Sequence, residues 1–264
     1  MKQHHTFFAA VVTCLCLFAA SAAASTSLPD PWYYGGLGNN YLDSATINAP
    51  GSYSIPYISA SVAAYPNAAM STSSSCTAGT NNCTASGNIW ITYYFAVTGG
   101  NFGDPVTVDV DSLLQGAISG NATGANAVED MSAAIAVTND TNLITLGHSI
   151  QATCVDACSS HPSWRGTLFL AMTSGDTGTV TMLITADTQE IASGGLYGSG
   201  SAFSYADPYI YVDPDTPNAG LYSIVVSSGI GNNPLGSTPE PSSLMLLGSG
   251  VTGLAGVLRR KLSR

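Results

Sequence analysis

Between residues 88 and 232 apolar side chains recur at every second position. Ile89, Ile91, Tyr93, Phe95 and Val97 fall on one face, with Trp90, Thr92, Tyr94 and Thr98 on the other. This is the signature of a strand with one dry side. Val106, Val108 and Val110 alternate with Thr107, Asp109 and Asp111, which predicts a strand that turns its carboxylates to water. Further strands are predicted at 133–137, 143–150, 167–172, 179–185, 203–206, 209–212 and 221–226. Turn signals such as Asn139-Asp140, Gly175-Asp176, Gly194-Gly195 and the stretch 214–220 separate them. Residues 113–118 read as a short helix-like piece. Many short strands at this spacing predict an antiparallel β-sandwich of the jelly-roll or immunoglobulin-like kind, and no fixed repeat points to a solenoid.

The pattern changes outside that core. Residues 25–87 are rich in Ser, Ala, Pro and Gly, and Pro29, Pro31, Pro50, Pro56 and Pro66 exclude long helices. They are predicted as a lead segment, partly ordered or forming edges, from which Trp32, Tyr33, Tyr34 and the alternating Tyr53, Ile55 and Tyr57 can dock on the body. At the N-terminus Lys2 precedes an apolar run over 7–20, and Ala20-Ser21-Ala22 or Ala22-Ala23-Ala24 offers a cleavage site. Residues 1–24 are therefore a signal peptide. Cys14 lies inside the apolar run rather than closing it, which excludes lipidation there.

At the other end residues 242–258 carry no charge, just long enough for a single transmembrane helix. Arg259, Arg260, Lys261 and Arg264 follow at once. The positive-inside rule places this tail and Lys2 in the cytoplasm and everything between them outside. Gly248, Thr252 and Gly256 form a stripe of small residues suited to close helix approach.

Pro239-Glu240-Pro241, an apolar segment and Arg259-Arg260-Lys261, in that order at the very end, resemble the PEP-CTERM sorting signal of Gram-negative bacteria over residues 239–264. The resemblance implies a membrane-embedded exosortase as partner and a helix that holds the chain in the membrane before processing. It also implies cleavage near Pro-Glu-Pro, delivery to the cell surface or beyond, and a link to extracellular polysaccharide. ITYYFAVTGG with GDPVTVDV, and ADPYIYVDP with GLYSIVVSSGIGN, resemble a recurring secreted domain found ahead of such signals. That resemblance covers about residues 88–232, supports fold and export, and brings no catalytic residue with it. Four segments result: 1–24 signal peptide, 25–87 lead, 88–232 exported sandwich, 233–264 linker and sorting segment.

Charge narrows the partners. Charged residues make up only 8% of the chain, against a usual quarter or so. Five of the six basic residues lie in the terminal segments, so residues 25–238 hold Arg165 against fifteen acidic residues, a net charge of −14. Nucleic acid and anionic headgroups are repelled, whereas calcium and neutral glycans are not.

Cys14 and Cys16 leave with the signal peptide. The other four cysteines permit three pairings, and proximity in an oxidising compartment favours Cys76 with Cys83 and Cys154 with Cys158. The rival is a zinc site with His148 or His161, for which the spacing lacks the usual C-x2-C. G-x-S-x-G, H-E-x-x-H, P-loop and dinucleotide patterns are absent from the sequence, so no catalytic residue and no organic cofactor is assigned. Paired carboxylates can hydrolyse glycosides, but Glu129-Asp130 reads as a polar loop, with Glu190 far along the chain.

Asp207-Pro208 and Asp213-Pro214-Asp215 frame the strand at 209–212. Asp213 and Asp215 are the candidate calcium ligands, with ordinary Asp-Pro turn chemistry as the alternative. Tyr209 and Tyr211 share a face opposite Ile210 and Val212, which predicts an exposed aromatic strip for stacking on sugar rings. Trp90 or Tyr93 is a further candidate for that role. The leading expectation is a non-enzymatic surface or matrix protein that contacts exopolysaccharide. The alternatives are a secreted polysaccharide hydrolase or lyase and a calcium-dependent adhesion module.

Overall fold

A computed structural model describes residues 27–40, 43–78, 82–122, 126–191 and 198–234. The predicted signal peptide, the membrane helix at 242–258 and the sorting motif lie outside these residues. Among the described residues no helix is long and apolar enough to cross a membrane.

Fourteen strands follow one another: β1 Trp32–Asn39, β2 Ser44–Ile47, β3 Gly51–Ile55, β4 Ile58–Ala63, β5 Ala69–Ala78, β6 Cys83–Gly99 and β7 Pro105–Ala122, then β8 Asn126–Asn139, β9 Ile144–Val155, β10 Cys158–Ser160, β11 Ser163–Thr173, β12 Thr177–Ile191, β13 Gly198–Val212 and β14 Tyr222–Val226. They form two antiparallel seven-stranded sheets packed face to face. The first runs β2-β1-β6-β12-β8-β9, with β14 continuing the β1 edge beside the end of β6. The second runs β10-β7-β13-β5-β4-β3, with β11 continuing the β10 edge along β7. The sandwich expected from the alternation is thus present.

The core is the dry face read from the sequence. Ile89, Ile91, Phe95 and Val97 of β6, and Val108 and Val110 of β7, are fully buried. They meet Val137, Val180, Met182, Ile184 and Ile210 between the sheets. Burial of these apolar faces is the main driving force for joining two sheets. At one lateral edge the inward His148 of β9 stacks on Trp164 of β11, with ring centroids 4.0 Å apart. This stacking closes the edge of the sandwich.

Three expectations are corrected. Residues 25–87 form no separate lead, because β1 to β5 lie in both sheets and β5 is an inner strand beside β13. Residues 113–118 are part of β7, where eleven consecutive pairs with β11 and fifteen with β13 override their local helical preference. The stretches 203–206 and 209–212 are one strand that runs straight through Asp207-Pro208, with Pro208 facing Ser112. Asp207 therefore lies mid-strand and buried, accepting hydrogen bonds from the Tyr205 hydroxyl at 2.9 Å and the Asn67 amide at 3.3 Å.

Candidate functional site

Two groups of rings stand on the outer faces. On the first sheet, strand register sets Trp32 opposite Thr92 and Tyr34 opposite Trp90. Trp32 and Tyr34 stack nearly parallel, with ring centroids 5.6 Å apart and planes 2° from parallel, and Trp90 meets Trp32 edge-on at 6.1 Å. Trp32, Tyr34 and Trp90 are 51%, 57% and 41% exposed, so all three present area to solvent. The Trp90 indole N–H donates to Thr92 Oγ1 at 3.1 Å, and Thr92 lies 3.4 Å from Thr181 Oγ1 on β12. Beside the rings the sheet continues in small and hydroxyl-bearing side chains, with Ser132 and Thr185 paired at 2.9 Å. Tyr93 points the other way and is buried, which removes it as a surface ring.

On the second sheet Tyr209 and Tyr211 stack at 5.2 Å and 20°, half-buried on the face opposite buried Ile210. The two rings share the face expected from the alternation, but they are half-buried rather than exposed. An open cleft of about 380 Å³ runs along this stretch and is also lined by Tyr222 and Asn232. The Tyr211 hydroxyl reaches Asp111 Oδ1 at 3.5 Å, and burial followed by the charges of Asp111 and Asp109 pushes its pKa up to about 12. Asp109 is not on a solvated face. It lies between Phe169 and Tyr211 in the register and is buried, so desolvation, then Asp213, raises its pKa.

The two candidate calcium ligands occupy the turn after β13. Asp213 Oδ1 accepts the Asp215 backbone N–H at 2.8 Å, and the Asp213 carbonyl accepts from Thr216 at 2.9 Å. Among the described residues no group of three or more His, Cys, Asp or Glu side chains converges to hold a metal.

The structure brings together a pair that the sequence reading left apart. Glu129 on β8 and Glu190 on β12 both point between the sheets and are fully buried. Glu129 is no loop residue; it faces Thr188, itself inward and 1% exposed. Among the described residues no N–H or O–H donates to any of the four carboxyl oxygens, and the Thr188 hydroxyl has no partner either. Both Oε1 atoms crowd the same point over Gly200, so each carboxyl group opposes ionisation of the other. Burial, then Glu190, raises the Glu129 pKa to about 8, and burial raises that of Glu190.

Opposite the pair, Gly120 and Gly200 face each other across β7 and β13. A Cβ on Gly200 would stand 2.0 Å from Glu129 Oε1 and 2.5 Å from Glu190 Oε1, so only glycine leaves room for both carboxyl groups. The expected disulfides form and join the two sheets around this point: Cys76–Cys83 links β5 to β6, and Cys154–Cys158 links β9 to β10. In the register Cys83 faces Glu190, Cys154 faces Glu129, Cys76 faces Gly200 and Cys158 faces Gly120.

Strand order and pairing define an antiparallel β-sandwich of two seven-stranded sheets. The particular address comes from the tail: the chain carries a PEP-CTERM protein-sorting motif over residues 237–261. It is therefore an exported protein processed at the membrane by exosortase. No curated protein matches the sequence. Among solved structures, infectious bursal disease virus Gx strain aligns at 10% identity over 87% of this chain and 69% of the viral one, with a TM-score of 0.15. The T13 particle of the same virus aligns at 9% identity over 77% and 63%, with a TM-score of 0.14. Similarities of this size carry no functional inference.

Proposed function

We propose that this is a non-enzymatic surface or matrix protein that exosortase delivers beyond the membrane, where it contacts exopolysaccharide through its exposed rings. The observation that carries the reading is the Trp32, Tyr34 and Trp90 platform. Flat apolar faces beside hydroxyl groups match the faces and rims of sugar rings, and aromatic side chains left in water at this density mark contact surfaces. The Tyr209–Tyr211 strip supplies a second such surface. An acidic domain nearly devoid of cations suits a neutral glycan better than an anionic one.

The hydrolase reading has less support, since Glu129 and Glu190 are fully buried and their Oε1 atoms crowd one point over Gly200. Glycosidase carboxyls instead flank an open cleft with room for substrate, about 5 Å or more apart.

The test is retention of the purified exported chain on exopolysaccharide isolated from producing cells, together with a glycan array. Wild type is expected to be retained, and a W32A/W90A double variant, altered only at exposed positions, to bind at least about tenfold more weakly. Absence of retention on every glycan would sink the proposal. Release of soluble sugar that E190Q abolishes would move the assignment to the hydrolase.

A further inference from the structure

We propose that Glu129, Glu190 and Thr188 form an inter-sheet site for a divalent cation of the calcium type, held between the two disulfides. Two buried carboxyl groups in contact are costly unless their charge is compensated. No Lys or Arg is available to do so: Arg165, the sole basic residue of the exported part, is exposed on the outer side of β11. A shared proton would neutralise one carboxylate and leave the other charged, with the Thr188 hydroxyl still unpartnered. A divalent cation neutralises both and uses the Thr188 oxygen as well.

The donor set fits a hard cation. It comprises four carboxylate oxygens and a hydroxyl, and the Asp156 carbonyl converges on the same gap. A Cβ on Gly120 would lie 2.4 Å from that carbonyl and 2.6 Å from Glu129 Oε2. Calcium accepts six to eight such oxygens in flexible geometry, whereas magnesium demands a stricter octahedron. Soft ligands are excluded, because the neighbouring cysteines are all in disulfides and His148 is stacked on Trp164. Asp213 and Asp215 themselves have no buried orphan atom; the orphan beside that turn, Asp109 Oδ1, belongs to a single carboxylate between Phe169 and Tyr211 rather than to a pair.

The site is also built to be rigid. Its two acidic strands and the two glycine strands opposite are each tied at a cysteine directly across the ladder. Preorganisation of this kind lowers the ordering cost of binding.

The test is calorimetry and thermal unfolding of the full chain with disulfides intact, first stripped with chelator and then titrated with calcium chloride. One calcium per chain and a rise in Tm of about 5 °C or more at saturation are expected. E190Q should abolish both, and T188V, which keeps the shape, should weaken binding about tenfold. A D213N/D215N variant should behave as wild type. Because E190Q can disturb folding, its circular dichroism is recorded, and T188V carries the decision if E190Q is unfolded. Absence of stoichiometric calcium and an unchanged Tm in wild type would overturn the proposal, leaving the pair as a proton-sharing dyad. Calcium binding lost in D213N/D215N but kept in T188V would overturn it equally.

Discussion

Removing the Cys76–Cys83 bridge by a C76A/C83A double substitution should destabilise the sandwich without changing its fold. The bridge closes a sequence separation of 7, and Cys154–Cys158 closes a separation of 4. Chain-entropy reasoning gives about 2 kcal/mol for each such loop. Both bridges join strands of different sheets, so the loops they close are also inter-sheet crossings. For a domain near 200 residues a loss of 2 kcal/mol lowers Tm by about 4–8 °C.

The assay is guanidinium unfolding followed by tryptophan fluorescence, for wild type, C76A/C83A, C154A/C158A and the quadruple variant. Each double variant should lower the midpoint, with a slope no smaller than wild type because the uncrosslinked unfolded chain exposes at least as much surface. The quadruple variant should lose about 4 kcal/mol, a large part of the 5–15 kcal/mol typical of a domain. A loss below about 0.5 kcal/mol in either double variant would refute the reasoning, because it would mean that the bridges merely decorate loops already closed by sheet pairing.

Two glycines distinguish backbone from side-chain crowding. A Cβ on Gly35 would meet the backbone oxygen of Asn88 at 2.4 Å, whereas one on Gly116 would meet the flexible end of Met131. G35A is therefore expected to cost about 1–3 kcal/mol and G116A less than about 1; equal shifts in the denaturation midpoint would contradict this. Burial raises the pKa of Asp207, against the hydrogen bonds from Tyr205 and Asn67, and Asp109 and Asp187 shift the same way. A folded chain that holds a proton to higher pH than the unfolded chain has that contribution in full below the unfolded value. The contribution is lost as pH rises through the folded value. D207N should accordingly show a smaller fall in Tm than wild type between about pH 4 and pH 7, and an identical fall would count against a buried, proton-holding Asp207.

Much of the sandwich was legible because strand alternation is a local property. The inward faces of β6 and β7 and the shared side of Tyr209 and Tyr211 follow from a period of two in residues that are neighbours in sequence. Cys76–Cys83 and Cys154–Cys158 follow from short separations. The carboxyl pair has a signal in the sequence: Ala127, Glu129, Met131, Ala133 and Ile135 alternate inward, as do Met182, Ile184, Ala186, Thr188 and Glu190. Continuing either period would have carried both glutamates into the core. Acidic residues next to Asp130 and Gln189 look solvated only while the strand that contains them is cut short.

The sequence alone determined the address of this protein, since a sorting motif acts as a linear segment of fixed order, Pro-Glu-Pro to basic end, whatever the domain before it does. It also determined that the exported part is an acidic, disulfide-compatible β domain. Only the tertiary structure decided that residues 32–78 complete both sheets and that Asp207-Pro208 is strand rather than turn. It alone showed that Glu129 and Glu190, sixty-one positions apart in the sequence, meet opposite Gly120 and Gly200. Long-range pairing sets those outcomes: a residue's neighbours across a ladder and across the inter-sheet gap come from distant segments, and their packing outweighs the local preference that a sequence displays.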